Sequence, residues 1–226
     1  MILVAIPAFN ESKHIGQIVS EARQYSALTL VVDDGSRDDT KKLAEQAGAL
    51  VIRHENNRGM GAAEETIMSY ASVLMDDGDI LVTLDGDGQH FPNDIPNLVR
   101  KLEGGYDVVN GSRLVRKDAP DLQPYRRILN GIATYVTRYL SGYYLTDSQS
   151  GFKAYRFWVV RRLSFTSKDY AWNSESYIRL KAMGARLSET PIWTVWTPPS
   201  PGHAKHALLY GVKVFGRLLL IRVGAL

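Results

Sequence analysis

The sequence predicts an α/β fold, a mostly parallel sheet covered by helices on both faces. Short, almost continuously apolar segments alternate with helical patterns in the first half of the chain, as buried parallel strands and their connecting helices do. At 226 residues and 45% hydrophobic content the chain can form one such domain with a substantial core. Polar clusters follow three of the predicted strands, where parallel sheets bind ligands.

The first half of the chain contains five predicted strands and four predicted helices. The strands are Ile2–Ile6, Leu28–Val32, Leu50–Arg53, Ile80–Leu84 and Asp107–Asn110. The helices are at about Lys13–Gln24, Asp39–Ala47, Gly61–Met75 and Asn93–Leu102. Apolar runs of strand length separated by helical periodicity are the basis of these predictions.

The second half is less regular. It contains a basic helix at about Gln123–Leu140, a strand and helix ending near Arg162, a helix near Asn173–Met183, a strand near Arg186–Trp193, and a final helix at about Ala204–Arg222. A proline-rich break at 198–202 precedes the final helix. We therefore expect residues 1–197 to form one catalytic domain and residues 198–226 to form a break followed by an amphipathic helix.

Composition and charge exclude several classes of protein. The absence of cysteine excludes disulfides, thiolate zinc sites and thiol nucleophiles. No segment reaches the roughly 18–20 apolar residues of a membrane span, and the apolar N-terminus is too short for a signal peptide. Residues 1–112 carry a net charge of −9 and residues 113–226 carry +12. This asymmetry favours anions such as phosphates or lipid head groups as partners of the second half. Nucleic acid is not expected as a partner.

The most specific chemistry lies in Asp85-Gly-Asp87-Gly-Gln89, directly after the predicted strand Ile80–Leu84. Residues two apart on an extended backbone point to the same side, so both carboxylates can converge near the Gln89 amide. Such oxygens suit Mn²⁺ or Mg²⁺, which would neutralise a diphosphate leaving group. A polar turn is the alternative, whereas a calcium loop is excluded because Pro96 replaces its final Glu.

Seven segments, in a fixed order along the chain, resemble the landmarks of a known family. They are Ile6-Pro-Ala-Phe-Asn-Glu11, Val31-Val-Asp-Asp-Gly-Ser36, Asn57-Arg-Gly-Met-Gly-Ala-Ala63, Asp85-Gly-Asp-Gly-Gln-His90, Gly111-Ser-Arg113, Asp147-Ser-Gln-Ser-Gly-Phe-Lys153, and Glu175 with Gly184 and Glu189-Thr-Pro-Ile192. On these segments the chain resembles the family-2 glycosyltransferases, most closely the dolichyl- or polyprenyl-phosphate mannose or glucose synthases. The resemblance implies the GT-A fold, a Rossmann-like, mostly parallel sheet flanked by helices.

A dinucleotide-binding enzyme is the competing interpretation of the glycines at Gly59-Met-Gly61-Ala-Ala-Glu64. That fingerprint should follow the first strand. Here it follows the third predicted strand, and Glu64 occupies the place of its last glycine. A nicotinamide or flavin enzyme is therefore not expected.

The resemblance implies that one set of residues holds the nucleoside diphosphate: Pro7, Phe9, Glu11, Asp34, Arg58, Asp85 and Gly86. Asp34 would accept a hydrogen bond from a base N–H, while Asp33 would fix the loop. Asp85, Asp87 and Gln89 would hold Mn²⁺ or Mg²⁺. Two simpler interpretations stay open, namely Glu11 as a cap of the first helix and Arg58 as an exposed residue at a helix start.

The acceptor is less well defined. A sugar hydroxyl needs a general base, whereas a phosphate monoester is already ionised near neutral pH. Family members that act on hydroxyls usually carry an Asp eleven residues before the glycine equivalent to Gly184, and this chain has Asn173 there. A phosphate acceptor is therefore favoured. Asp147 and Glu175 are the candidate catalytic carboxylates, although Asp147 also suits an Asx turn and Glu175 the first turn of a helix.

Arg113, Arg126 and Arg127 are the candidates for binding the acceptor phosphate, because guanidinium groups match phosphate oxygens. Residues 113–168 contain 11 Lys/Arg against 3 Asp/Glu. A solvated surface position is the alternative for each arginine. Segment 196–205 lacks the arginine that the synthases often place after their Glu-x-Pro-Ile strand, so the resemblance is weaker on the acceptor side.

The final helix is predicted to be amphipathic. His206, Lys213 and Arg217 fall within about 40° of one another on a helix, and apolar residues cover the remainder. A cationic stripe beside an apolar surface suits the lipid head-group layer. Docking on the protein's own core is the alternative.

Together these observations predict a metal-dependent, inverting glycosyltransferase that is cytoplasmic and peripherally associated with the membrane. We expect it to move a hexose from GDP-mannose, or from UDP-glucose, to a polyprenyl phosphate. The second hypothesis is transfer to a hydroxyl of a lipid-linked saccharide, with Asp147 or Glu175 as base. The third is a non-catalytic, nucleotide-binding module that docks on membranes.

Overall fold

The computed structural model describes residues 1–114, 124–195 and 207–224, and describes side chains in 1–114, 128–195 and 215–224. Within these ranges the strands are β1 (Ile2–Ala8), β2 (Leu28–Asp33), β3 (Leu50–Arg53), β4 (Ile80–Thr83), β5 (Val108–Ser112), β6 (Lys153–Arg156) and β7 (Leu187–Pro191). The α-helices are α1 (Ile15–Ala22), α2 (Thr40–Gln46), α3 (Met60–Leu74), α4 (Ile95–Glu103), α5 (Pro124–Ser141), α6 (Phe157–Val160), α7 (Trp172–Ala182) and α8 (Ala207–Arg222). A 3₁₀ turn, Pro92–Asp94, precedes α4.

The strands form one seven-stranded sheet in the order β3-β2-β1-β4-β6-β5-β7. Neighbouring strands are parallel except at β6, which runs antiparallel to both β4 and β5. The predicted α/β class with a mostly parallel sheet is confirmed. All five strands predicted in the first half are present, each within two residues of its predicted ends.

Alternate residues of β1 enter two different hydrophobic cores. Leu3 and Ala5 pack with Ile67 of α3 on one face of the sheet. Val4 and Ile6 belong to the core on the other face, which α1 covers. Successive side chains of a strand point to opposite faces, so a strand buried on both faces must be apolar throughout. This explains why the first strand is an unbroken apolar run.

The C-terminal helix α8 packs on the domain. Its residues Leu218 and Ile221 are buried against Leu140 of α5 and Ile178 of α7. Docking on the protein's own helices, one of the two alternatives for this segment, is therefore observed for these two residues. The predicted break at 198–202 lies outside the described residues. No helix among the described ranges is long and apolar enough to cross a membrane.

Candidate active site

The two carboxylates predicted to bind a metal lie just beyond the end of β4. β4 ends at Thr83, and the Asp85 side chain that follows is 24% exposed. The Asp87 carboxylate accepts a hydrogen bond from the Gln89 backbone N–H at 2.9 Å, which closes the segment into a tight turn. The buried imidazole of His90 places Nδ1 3.4 Å from Asp85 Oδ2. Both carboxylates therefore lie at the carboxyl edge of the parallel strands, where ligands bind.

Glycine at position 86 allows the turn after β4 to lie against β1. A Cβ added to Gly86 would be 3.0 Å from the Pro7 carbonyl oxygen and 3.4 Å from the Ala8 Cβ. Gly88 has a φ of +78°, in the left-handed region that glycine adopts without steric cost. The glycines of the motif thus have backbone roles, and Gly86 joins the predicted metal segment to the predicted nucleoside segment.

Burial, and then the charges of neighbouring acids, raise the pKa of the acids at this edge. Burial raises the pKa of Asp85 and of Asp87, and the charge of Asp85 raises that of Asp87 further. Burial, followed by the charges of Asp87, Asp38 and Asp85, raises the pKa of Glu11 to about 7. Clustered, half-buried carboxylates are unfavourable unless protons or a cation neutralise them.

The donor set fits a hard dication. Among the described residues no three His, Cys, Asp or Glu side chains enclose a cation by themselves. Mg²⁺ is commonly held by one or two carboxylates together with substrate phosphates and water. Asp85 and Asp87, with the amide of Gln89, meet that description.

Gly151, which belongs to the landmark segment 147–153 but was given no role from the sequence, lies directly against the Asp85 carboxylate. A Cβ added there would fall 2.2 Å from Asp85 Oδ1 and 2.8 Å from Oδ2. The Thr83 hydroxyl donates a hydrogen bond to the Gly151 carbonyl oxygen at 2.8 Å. The following residue, Phe152, packs its ring 5.4 Å from the His90 ring. The loop before β6 therefore forms one wall of the metal segment.

The first predicted nucleoside segment lies at the end of β1. Pro7 is paired with Val32 inside the sheet, while the Phe9 side chain is 41% exposed and offers an apolar wall. The backbone N–H of Glu11 donates to Thr40 Oγ1 at 2.8 Å. Within the part of the chain that the structure describes, no side-chain hydrogen bond caps α1, so the alternative role of Glu11 as a helix cap is not observed.

The second predicted nucleoside residue, Asp34, is almost fully buried and already bonded. Its Oδ1 lies 2.6 Å from Nδ1 of His54 and accepts the Arg58 backbone N–H at 2.9 Å. Its Oδ2 accepts the Gly59 backbone N–H at 2.8 Å. Asp34 thus joins β2 to the start of α3, a loop-fixing role that was predicted for Asp33. Contact between Asp34 and a base stays a prediction.

Asp33 and Arg58 lie next to Asp34. Asp33 is buried, and its Oδ1 accepts the Ser36 backbone N–H at 2.9 Å, so Asp33 also holds its turn. The Arg58 side chain is exposed at the start of α3. Sequence reasoning missed His54, whose Nε2 lies 2.9 Å from Thr66 Oγ1. A histidine at the end of a predicted strand was the available signal.

On the acceptor side, the buried Asp147 forms an ion pair with Arg113, whose side chain is 13% exposed. Arg113 donates from Nε to Asp147 Oδ2 at 2.6 Å and from Nη2 to Oδ1 at 2.9 Å. Burial by itself would raise the pKa of Asp147, but this bidentate pair holds it below its usual range. The Gln149 backbone N–H also donates to Asp147 at 3.1 Å, which is the predicted Asx turn. A carboxylate with a lowered pKa is a weak general base.

Glu175, the other candidate catalytic carboxylate, is bonded to the loop before α7. Its buried carboxylate accepts hydrogen bonds from the backbone N–H groups of Thr166 and Ser167, both at 2.8 Å, and from Arg179 at 2.7 Å. Burial opposes ionisation, but these bonds hold the pKa of Glu175 below its usual value. Glu175 therefore fixes the loop before α7, and its role as a catalytic base stays a prediction.

Of the three arginines predicted to bind the acceptor phosphate, only Arg113 has a side chain within the described residues. Arg126 and Arg127 belong to the first turn of α5, but their side chains lie outside the described residues. Arg113 is paired with Asp147, so any contact with an acceptor phosphate would have to share its guanidinium group. The binding of phosphate by these three arginines stays a prediction.

Comparison with known proteins identifies the family. The model of the family described as glycosyl transferase family 2 matches residues 3–165. The chain belongs to this family. It is a glycosyltransferase, as the resemblance predicted.

Two relatives of this family-2 glycosyltransferase carry names that describe lipid-phosphate acceptors. UDP-N-acetylglucosamine–dolichyl-phosphate N-acetylglucosaminyltransferase of Methanococcus voltae is 32% identical over 246 residues, covering 99% of this chain and 97% of that protein. Polyprenol monophosphomannose synthase of Mycolicibacterium smegmatis is 30% identical over 202 residues, covering 84% and 76%.

The fold comparison agrees with the sheet described above. Glucosyl-3-phosphoglycerate synthase of Mycobacterium tuberculosis, in a crystal structure with Mn²⁺, UDP and glucosyl-3-phosphoglycerate, matches with a TM-score of 0.72. Its sequence is 20% identical, and the match covers 99% of this chain and 80% of that one. The predicted GT-A, Rossmann-like fold of this family-2 glycosyltransferase is confirmed.

Proposed function

We propose that this enzyme transfers a sugar from a nucleoside diphosphate sugar to a polyprenyl phosphate, with inversion and with a divalent metal. The observation that carries the proposal is the group of mutually repelling acids Glu11, Asp85 and Asp87 at the carboxyl edge of the sheet. Such a site favours a dication. When bound, Mn²⁺ or Mg²⁺ would stabilise the negative charge of the departing diphosphate.

In this proposal the protein's own residues bind and orient the donor. Phe9 offers an exposed apolar wall to the nucleoside. Gly86 carries no side chain that would block a diphosphate, and Arg58 is exposed at the start of α3, where helix N-termini also favour anions. Asp85 and Asp87, with Gln89, would hold the metal. These roles explain why polar residues follow β1, β2 and β4 in particular.

The state of the candidate bases supports a phosphate acceptor. Asp147 is tied to Arg113 by two hydrogen bonds, and Glu175 is tied to the loop before α7. Removing a proton from a sugar hydroxyl requires a free carboxylate or a comparable base. A phosphate monoester acts as a nucleophile without one, because it is already ionised.

The identity of the donor is the finest part of the proposal. GDP-mannose was the first candidate from the sequence, and the mycobacterial relative is named for mannose. The methanococcal relative, which this chain matches over nearly its whole length, is named for UDP-N-acetylglucosamine. We therefore place UDP-N-acetylglucosamine beside GDP-mannose and UDP-glucose as donors to be tested.

We further propose that the enzyme works against the membrane surface through a face formed by α5 and α8. Apolar side chains that are 39% exposed or more cover this α5–α8 face: Ile128, Leu129, Ile132, Tyr135, Tyr139, Phe215, Leu219, Leu220 and Val223. By contrast, α5 buries the hydroxyls of Thr134 and Thr137 on its inner side. The two helices contain six Lys/Arg and no Asp/Glu, which suits anionic lipids.

Transfer should be tested with each of the three radiolabelled sugar nucleotides, crossed with a polyprenyl phosphate and with a lipid-linked saccharide, in Mn²⁺ or in EDTA. We expect one donor to label the polyprenyl phosphate only when metal is present, and mild acid to release the label. A product stable to mild acid would instead favour a hydroxyl acceptor. No turnover with any pair would favour the non-catalytic module.

The membrane face is tested by flotation with vesicles. We expect wild type to float with vesicles containing phosphatidylglycerol, and the double variant Ile132→Asp, Tyr135→Asp to stay in solution. Val73→Asp is the control, because Val73 of α3 is 82% exposed but lies outside the α5–α8 face. Flotation of the double variant equal to that of wild type would remove this part of the proposal.

A further inference from the structure

Lys153 of β6 is a lysine buried in the middle of the sheet. It is 0% exposed, and its ammonium group donates to the Ser150 carbonyl oxygen and to Asn173 Oδ1, both at 2.6 Å. The same nitrogen lies 4.5 Å from the centre of the Trp172 ring, a cation–π contact. Removing an ammonium group from water costs several kcal/mol. An aliphatic side chain would avoid that cost, so stability alone does not account for lysine here.

Lys153 is the central member of a row of three donors on adjacent strands. In the strand register it is paired with Thr83 of β4 on one side and with Asn110 of β5 on the other. We call these three residues the donor row. Each donates a hydrogen bond to a carbonyl oxygen of the loop 147–151: Thr83 to Gly151 at 2.8 Å, Lys153 to Ser150 at 2.6 Å, and Asn110 to Asp147 at 2.7 Å.

The loop 147–151 meets both halves of the active site. At one end Asp147 holds Arg113 by two hydrogen bonds. At the other end Gly151 lies so close to the Asp85 carboxylate that a Cβ would be 2.2 Å from Oδ1. A displacement of the loop would therefore move the surface that fixes the orientation of Asp85. Metal–oxygen distances tolerate only about 0.2 Å of error.

Glu64 of α3 is a second buried titratable group whose charge acts on Lys153. Glu64 is 0% exposed, and within the described part of the chain neither of its carboxylate oxygens has a hydrogen-bond partner. Burial raises the pKa of Glu64, and the charge of Lys153 partly offsets that increase. Burial lowers the pKa of Lys153, and the charge of Glu64 partly offsets that decrease. The two buried groups therefore interact electrostatically, although neither carboxylate oxygen of Glu64 accepts a hydrogen bond within the described residues.

We propose that Lys153 is a positioning residue, which holds the loop 147–151 so that Gly151 keeps the Asp85 carboxylate in its metal-binding orientation. Lys153 acts through the loop and through Asn173 of α7, without touching substrate. The inference rests on the proposed function, because it assumes that Asp85 binds the metal of a metal–nucleotide complex. The inference gives a role to the buried Lys153, which has no role in binding the sugar nucleotide under the proposed function.

The test compares Lys153→Met with Lys153→Arg and with Lys181→Met, a matched change at an exposed lysine of α7. Affinity for UDP and for GDP is measured by calorimetry with Mn²⁺ and with EDTA. We expect Lys153→Met to weaken the Mn²⁺-dependent binding at least tenfold, while binding in EDTA changes less than twofold. Lys153→Arg should recover most of the loss, and Lys181→Met should match wild type.

A merely structural lysine would lower the melting temperature without this metal-specific loss. Folded Lys153→Met protein with Mn²⁺-dependent affinity within twofold of wild type would overturn the proposal. If that variant does not fold, Thr83→Val removes one neighbouring donor, and we expect a three- to fivefold loss. Wild-type affinity in Thr83→Val would then overturn it. Metal-dependent binding without sugar transfer would instead refute the proposed function and leave this inference intact.

Discussion

The sharpest prediction concerns Gly151→Ala, a change of one methyl group beside the proposed metal site. The added Cβ would lie 2.2 Å from Asp85 Oδ1 and 2.7 Å from its Cγ. Carbon and oxygen need more than about 3 Å, so the carboxylate has to move by roughly 1 Å. A misplacement of this size costs about 10²-fold in rate, or roughly 2.7 kcal/mol in the barrier. We expect about a hundredfold loss of metal-dependent transfer.

The assay for Gly151→Ala combines Mn²⁺-dependent nucleotide binding with turnover on a polyprenyl phosphate. The collision is with a side chain that can rotate, so the variant should fold and melt within a few degrees of wild type. Gly131→Ala in α5 is the matched control, because a Cβ there meets nothing within 4 Å; it should keep wild-type binding. Wild-type metal affinity in folded Gly151→Ala would refute the reasoning that links this loop to Asp85.

Three further predictions address the remaining acids. Asp87→Ala should abolish Mn²⁺-dependent binding of GDP or UDP in calorimetry without unfolding the domain, and unchanged affinity would remove Asp87 from the site. Because the pKa of Glu11 is raised to about 7, protons compete with the metal below that pH, so Mn²⁺ affinity should increase from pH 6 to pH 8. Glu11→Gln should remove this pH dependence. Mn²⁺ affinity of the wild type that does not change with pH would contradict the prediction. Glu175→Gln should lower the melting temperature, because it weakens several buried hydrogen bonds. Its kcat should stay within about fivefold of the wild-type value. A decrease in kcat of a hundredfold or more would instead support Glu175 as a general base.

The strands of the first half could be predicted because each is an apolar run buried on two faces. The strand β6 was harder to place. It has four residues, one of them the buried Lys153, and it joins the sheet between β4 and β5 in antiparallel orientation. Nothing local to these four residues specifies two neighbours that lie more than 40 residues away. Strand order depends on which edges come together, and that is decided by packing of the whole chain.

In the candidate site, too, local features could be predicted from the sequence and long-range contacts could not. The proximity of Asp85 and Asp87 is local, since they are two residues apart after a strand, and their proximity to Glu11 follows from parallel strands sharing one edge. The alternatives for Asp147 and Glu175 could not be separated in the same way. Asp147 meets Arg113, 34 residues earlier in the chain, and both groups of backbone donors to Glu175 come from a loop eight or nine residues before it.

The amino-acid sequence by itself therefore predicted the strands of the first half, the ligand-binding edge that they share and the acids that follow them, because strand burial and strand-end spacing are short-range properties. Only the tertiary structure decided which carboxylates are free to act and which are consumed by ion pairs or loop contacts. It also revealed the donor row beneath the site. The partners of a carboxylate depend on which distant segments of the chain pack against it. The same residue type can therefore be a free base in one environment and a structural hydrogen-bond acceptor in another.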